Sequence, residues 1–401
     1  MSSLVDVVIA ARNESTFLAR TLDALRQQTY DPDRLAIYVV DSNSTDATAQ
    51  IAGAAGVTVL RESTPGAAAA RNRGIRHGHG ELIACLDAHC LPDPQWIATM
   101  VRRFDDWRLG GCQGRIDNRS ADARVQRHLA SSGALANERV VEDTISGKRN
   151  LYPWILSGNC MYRRSALEAA GLFDERLPAC EDVDLAWRVF LLGYQLGYEP
   201  MAEVVHYDLN AWHRFVKKGA VYGAGAASLA RAYRAHGAGN KFAPPALWSR
   251  SVERTLAIGY YWLGYYRQRL RFRLRLAQPL DERPLRQVRD EFRPTFAWTH
   301  DLTMRIAPSV LFWFRDAERV SVIVNPATQV RWVLESVADF IWRRLVDETC
   351  RADLIRELGA HYNVSDTTAE ADLDEFVEEL LEGGVIRRQT RHLAASADRS
   401  R

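Results

Sequence analysis

This chain has few of the features that mark a cysteine-built or membrane-spanning protein. Its six cysteines (Cys85, Cys90, Cys112, Cys160, Cys180 and Cys350) form no CxxC pair, so neither a zinc cluster nor a disulfide framework is indicated. No apolar run approaches the roughly 20 residues of a spanning helix. The longest candidate, TLAIGYYWLGYY from Thr255 to Tyr266, is too short. The opening MSSLVDVVIAARNES runs straight into a predicted strand and has no basic, apolar and cleavable signal pattern, so a cytoplasmic chain is expected. A net charge of +2 gives no electrostatic reason to expect nucleic acid. The length does carry information: at 401 residues and 45.3 kDa the chain exceeds one typical core, and two domains are expected.

The first hundred residues alternate strand and helix. Val5 to Ala11 is a continuous apolar run, as in a strand covered on both faces. A helix with Phe17, Leu18, Leu22 and Leu25 on one face follows. Leu35 to Val40, Val57 to Leu60 and Leu82 to Leu86 read as further strands, with helices at 47–55 and 67–76 between them. This alternation predicts an α/β fold with a parallel, doubly wound sheet. Such sheets bind ligands beyond the carboxyl ends of their strands. The residues to examine are therefore Arg12-Asn13-Glu14, Asp41-Ser42 and Asp87-Ala88-His89. An Asp at a strand end is commonly just a helix cap, but in this order the three groups fit a nucleoside-diphosphate ligand. Asp41 would accept from a base or ribose, Arg71 would bridge base and phosphate, and Asp87 with His89 would hold a ribose hydroxyl and a cation on the diphosphate.

The stretches VVIAARNES, VVDSNSTDAT, GAAAARNRGI, CLDAHCLPDP, SGNCMYRRSAL, GLFDERL and EDVDLAWRVFLLGY resemble, in order and spacing, the successive blocks of family-2 glycosyltransferases of the GT-A fold. The resemblance implies an inverting transferase using a nucleotide-diphosphate sugar, a UDP-sugar by preference. It implies a nucleotide-sugar site lined by Ala10, Arg12, Glu14, Asp41, Arg71 and Asp87. Asp182 matches the family's catalytic base, Glu181 is the second choice, and Asp184 is expected only to cap the helix or pair with Arg188. CLDAHCLP departs from the family's DxD pattern because His89 stands where the second acid belongs. Imidazole suits transition metals and is a poor partner for magnesium, so the ion leans toward manganese, or metal dependence is weakened. His206, in VVHYDLNAW, stands where many members carry a late His able to join the metal; core packing is its alternative role.

The C-terminal part has a different texture. SVLFWFRD, RVSVIVNP and QVRWVLE read as three short strands, and three helices follow. A DNA-binding winged helix would have this outline. The third helix carries Glu370, Asp372, Asp374, Glu375, Glu378, Glu379 and Glu382 without one Lys or Arg, which would repel phosphate. APSVLFWFRD, VIVNPATQVRWVLESVADFIWRRLVDE, ADLIRELGAHYNV and ADLDEFVEELLEGGVI resemble instead the PqqD-like peptide-binding domain, a recognition element for leader peptides of ribosomally made precursors. The family binds the leader as an added strand, which implies Gln329, Val330, Arg331, Trp332, Val333 and Leu334 as the receiving strand. Leu373, Phe376, Val377 and Leu380 would form the groove wall. An acidic wall would suit a leader with basic residues.

The expected architecture is a GT-A domain (1–240), a helical and basic connecting region (241–304), a small α+β, winged-helix-like PqqD-type domain (305–388) and a frayed tail (389–401). Within the connection, RQRLRFRLRL (267–276) reads as a basic edge strand, a solvated linker, or a polybasic segment able to rest peripherally on an anionic membrane. The function expected is sugar transfer to a precursor peptide. The alternatives are a transferase of polysaccharide or lipid-linked sugar, and a non-catalytic protein that delivers a peptide.

Overall fold

β1 (Val5–Ala11) lies at the heart of the first sheet because nearly every residue in it is apolar and buried. Its one acid, Asp6, is also buried, and it accepts from the Gly80 N–H and pairs with Arg164 at 2.8 Å. In the computed structural model, residues 3–132, 152–208, 211–236, 252–281, 283, 288, 290–299, 302–315, 319–325 and 330–390 are described. The chain divides into two compact units, Met1–Pro284 and Leu285–Arg401.

In the first unit β1 pairs in parallel with β2 (Leu35–Asp41) and with β4 (Leu82–Asp87), and β2 pairs in parallel with β3 (Thr58–Arg61). The register sets Ala10 between Val40 and Asp87, so the three strands end together. α1 (Leu18–Arg26), α2 (Thr48–Ala54) and α3 (Ala67–His77) are the crossovers. The expected doubly wound half is present. Beyond β4 the sheet becomes mixed, in the order β3-β2-β1-β4-β7-β6-β8-β5. β7 (Asn159–Arg163) runs antiparallel to both β4 and β6 (Leu109–Ser120), and β5 (Cys90–Pro92) antiparallel to β8 (Gln195–Asp208). β7 is hidden in sequence because SGNCMYRR mixes small and polar residues. Asn159 explains part of that: it is buried, and its amide bonds Trp96 Nε1, the Arg115 carbonyl and the Ala202 carbonyl.

α4 (Trp96–Arg103), α5 (Ala123–Ser132), α6 (Arg164–Ala170) and α7 (Glu181–Leu191) surround the sheet. α8 (Trp212–Ala232) packs along α9 (Val252–Arg273). The approach is close: a Cβ at Gly223 would strike the Tyr261 carbonyl, and one at Gly264 the Ala220 backbone. RQRLRFRLRL is therefore not an edge strand; most of it forms the last turns of α9, because its backbone bonds locally and no neighbouring strand receives it.

In the second unit β11 (Leu311–Arg315), β12 (Val320–Asn325) and β13 (Val330–Glu335) form an antiparallel meander. α10 (Ser336–Val346), α11 (Arg351–Tyr362) and α12 (Asp366–Glu382) follow. Trp342, Ile323, Leu354, Leu373 and Val385 are in its core. A second small sheet, β14-β10-β9, joins β9 (Thr295–Ala297) and β10 (Leu302–Ile306) to β14 (Ile386–Thr390). The segment 241–304 is thereby shared: α9 belongs with the first unit, while β9 and β10 pair within the second. β14 (Ile386–Thr390) runs from the end of the expected PqqD-type domain into the first two residues of the expected tail. Among the described residues, no helix is long and apolar enough to cross a membrane.

Candidate active site

The site lies at the carboxyl ends of β1, β2 and β4, where the loops after the strands meet. The β1–α1 loop is stitched to the β2–α2 loop: Asn13 N–H donates to Ser44 Oγ (2.9 Å), Glu14 N–H to Thr48 Oγ1 (2.8 Å) and Ser15 N–H to Asp46 (3.1 Å). Asn13 takes a left-handed conformation, φ 57, which an asparagine tolerates, and the turn carries Glu14 toward β4. Asp41 is buried and its Oδ1 accepts from Ser44 N–H, so part of its work is to hold its own loop. Arg12 is exposed and Ala10 partly buried at the same edge.

Asp87 ends β4, and His89 precedes β5. Antiparallel pairing sets Cys90 opposite His206, which brings together two histidines separated by 117 positions. His89 Nδ1 lies 3.2 Å from Glu14 Oε1, and its Nε2 lies 3.2 Å from His206 Nε2. With Nδ1 donating to the carboxylate, Nε2 of a neutral ring keeps its lone pair for a cation. One ligand atom from each of Asp87, His89 and His206 falls within 4.8 Å of the others. Two nitrogens at about 2.1 Å from one ion would stand roughly 3.0–3.4 Å apart, so the donor set fits a divalent transition metal. Glu14 Oε2 is buried with no hydrogen-bond partner, a second sign that something polar belongs here. Burial and Lys218 oppose protonation of His89, but the Glu14 bond and the Asp87 charge outweigh them and raise its pKa.

Arg71 rises from α3 into the same cleft, buried, and bonds Asp87 at 3.1 Å and Glu181 at 2.9 Å. Burial would lower the Arg71 value, and the two acids more than reverse that. Burial likewise works to raise the Asp87 carboxyl, but Arg71, His89 and His206 hold it below its ordinary value. A Cβ at Gly158 would come within 2.9 Å of Asp87 Oδ2, so this turn accepts only glycine without displacing the carboxylate.

α7 begins at this wall. Its N-cap, Cys180, is left-handed at φ 64, a conformation that costs a non-glycine residue on the order of 1–3 kcal/mol. That turn presents Glu181 and Asp182 side by side. Glu181 is spent on Arg71, whereas Asp182 accepts only from backbone, Val183 N–H at 2.8 Å and Ser157 N–H at 3.4 Å. Burial, and then the Glu181 charge, push the Asp182 carboxyl up to about 7. A carboxylate poised there has the basicity of a general base. Asp184 belongs elsewhere: fully buried, it pairs with Arg188 at 2.8 Å and Arg283 at 3.1 Å.

α8, which carries no sequence signal for this site, reaches it as a further wall. Its Lys218 is close enough to act on His89, and its Tyr222 carbonyl accepts from Cys180 Sγ at 3.8 Å.

In the second unit β13 is an edge strand, with Val330 43% and Val333 49% exposed. Arg331 and Trp332 are partly buried and Leu334 is buried; Gln329 lies outside the described residues. The expected groove wall sits on the inward face of its helix. Leu373, Phe376, Val377 and Leu380 are buried in the core, since the apolar face of an amphipathic helix turns inward. The exposed face carries Asp372, Glu375, Glu379 and Glu382 at three- and four-residue spacing, and the helix ends at Gly383 against the Trp332 ring.

Residues 6–171 match the model of Glycosyl transferase family 2, and residues 321–386 that of Coenzyme PQQ synthesis protein D (PqqD). The chain carries a family 2 glycosyltransferase domain followed by a PqqD-like domain. The first unit has the α/β architecture expected, with parallel strands β3-β2-β1-β4 continuing into a mixed sheet. Among curated proteins the chain is 30% identical to a pre-mycofactocin glycosyltransferase of Mycobacterium tuberculosis over 56% of this chain and 47% of that protein. It is 27% identical to glycosyltransferase AglE of Haloferax volcanii over 48% of this chain and 64% of that protein. The chain thus spans about half to two thirds of these relatives' length. Among solved structures, mannosyltransferase PcManGT from Pyrobaculum calidifontis, in complex with GDP-Man and Mn2+, aligns over 70% of this chain and 77% of that one, with 20% identity and a TM-score of 0.44.

Proposed function

We propose that the chain transfers a sugar from a nucleoside-diphosphate donor, a UDP-sugar by preference, to a ribosomally made precursor peptide, with inversion at the anomeric carbon. The observation that carries this reading is the position of Asp182. Its carboxyl is pushed up to about 7 and accepts from the Val183 and Ser157 N–H groups, next to Glu181, which is taken up by Arg71, and near the Asp87–His89–His206 cluster. Leaving-group charge and acceptor proton thus have separate partners. Arg71 would turn from its carboxylates to the diphosphate, while Ala10, Arg12, Glu14 and Asp41 line the nucleotide side. Asp87, His89 and His206 would hold a divalent ion, manganese over magnesium given two imidazoles, and that ion would neutralise charge on the departing diphosphate. Asp182 takes the proton from the acceptor on the opposite face of the sugar, and one direct displacement inverts the centre.

The peptide side of the reading rests on the PqqD-like domain and on the name of the Mycobacterium tuberculosis relative. Edge strand β13 would receive the leader by backbone pairing, Val330 and Val333 would meet its side chains, and the acidic face of α12 favours basic leader residues. The test is transfer from UDP-sugars to a leader-bearing peptide, with product configuration read by proton NMR. A β-linked product from an α-linked donor supports the reading; retention of configuration or no peptide product refutes it.

A further inference from the structure

α9 presents a surface that sugar transfer does not require. Leu256, Leu263 and Leu270 stand seven residues apart, on one line of the helix, and are 47%, 59% and 53% exposed. Tyr266, 47% exposed, sits one turn before Leu270. The helix closes in a left-handed turn at Arg275, φ 56, where Leu276 N–H donates to the Arg271 carbonyl (2.8 Å) and Arg275 N–H to that of Phe272 (3.2 Å). This closure leaves Leu274 and Leu276 pointing outward, 56% and 67% exposed. The opposite side, with Gly264 and Tyr265, is packed against α8, so the leucine stripe is held on a rigid hairpin.

The charges beside the stripe have one sign. Arg267, Arg269, Arg271, Arg273 and Arg275 flank it, and residues 254–280 contain no Asp or Glu. An exposed row of leucines bounded only by cations, with the Trp262 and Tyr266 rings tilted against each other beside it at 5.1 Å, matches an apolar interior under an anionic layer. Nucleic acid would use the arginines and leave the leucines in water. The helix has 22 residues but is too charged to span a bilayer. We propose that the outer face of α9 docks onto an anionic phospholipid surface, lying in its plane with the leucines in the acyl boundary and the arginines at headgroup phosphates. The transferase would then act while peripherally bound to a membrane, whichever acceptor it uses.

The experiment is sedimentation of the full chain with vesicles of phosphatidylcholine alone or phosphatidylcholine mixed with phosphatidylglycerol. Partitioning should rise by about tenfold or more with phosphatidylglycerol and fall in high salt. Two variant sets are made: Leu270→Ser with Leu274→Ser and Leu276→Ser, and Arg271→Glu with Arg273→Glu and Arg275→Glu. Each should lose about tenfold in partitioning with an unchanged circular dichroism spectrum, since every altered side chain is exposed. Sedimentation that ignores phosphatidylglycerol, or that neither set reduces, overturns the proposal. So does a chain that self-associates in gel filtration, comes apart in both variants and leaves vesicles unbound, because the face would then join two copies.

Discussion

Glu14 shows how much one carboxylate can organise. Its Oε1 bonds His89 Nδ1 while its Oε2 is buried without a partner, so it orients the ring that faces His206. On the resemblance alone it was assigned to the nucleotide; the geometry adds a tie to the metal candidates. Outer partners of this kind typically carry about 10–100-fold in metal affinity. Glu14→Gln should therefore weaken Mn2+ binding by about that much, measured by electron paramagnetic resonance titration without any sugar donor; unchanged binding would remove Glu14 from that role. For Asp182 the sign of the pH dependence follows from the raised carboxyl. The active base is the ionised form, so kcat/KM should fall by about tenfold per pH unit below a midpoint of about 7 and level off above it. Asp182→Asn should abolish that limb and slow transfer by about 10²-fold or more, while UDP affinity measured by calorimetry stays near wild type. A profile flat from pH 5 to 8 would place the base elsewhere.

At the scale of elements, α7 has two jobs on two faces. Its first turn aims Glu181 and Asp182 into the cleft, and one residue pair later Asp184 anchors the helix to Arg188, Arg283 and the Tyr233 hydroxyl. Removing the charge of Asp184 leaves two guanidinium groups with a buried neutral partner, a loss on the order of 3 kcal/mol. Asp184→Asn should lower the melting temperature of the first unit, whereas Asp182→Asn, which removes a poorly solvated charge, should not; differential scanning calorimetry separates the two. Much of this half was legible in the sequence, because parallel strands buried on both faces are apolar runs and the polar residues after them stand out. The partnership of His206 was open there, since it depends on β5 lying antiparallel to β8, and neither is an evident strand in sequence. α12 was legible only in part. Its 3.6-residue period was read correctly, but periodicity says which residues share a face and not whether that face meets core or ligand. β14 escaped notice because the arginines and glutamine of IRRQT give no strand signal until β10 pairs with it.

At the scale of the whole molecule, one unit carries the Arg71, Asp87 and Asp182 site and the other an edge strand with exposed Val330 and Val333. If the second unit holds the leader, the core peptide meets Asp182 as a tethered reactant, and linkage of that kind raises apparent affinity by about 10²–10⁴-fold. The division of labour is therefore tested most directly by the rate of sugar transfer to a leader–core precursor against the core alone, followed by mass spectrometry at micromolar peptide. The precursor should be modified about 10²-fold faster or more, and Val333→Asp, an exposed change on β13, should erase most of that ratio without altering donor hydrolysis. Equal rates for precursor and core in the intact chain would contradict it, and an acceptor among polysaccharides or lipid-linked sugars would then fit the transferase domain better.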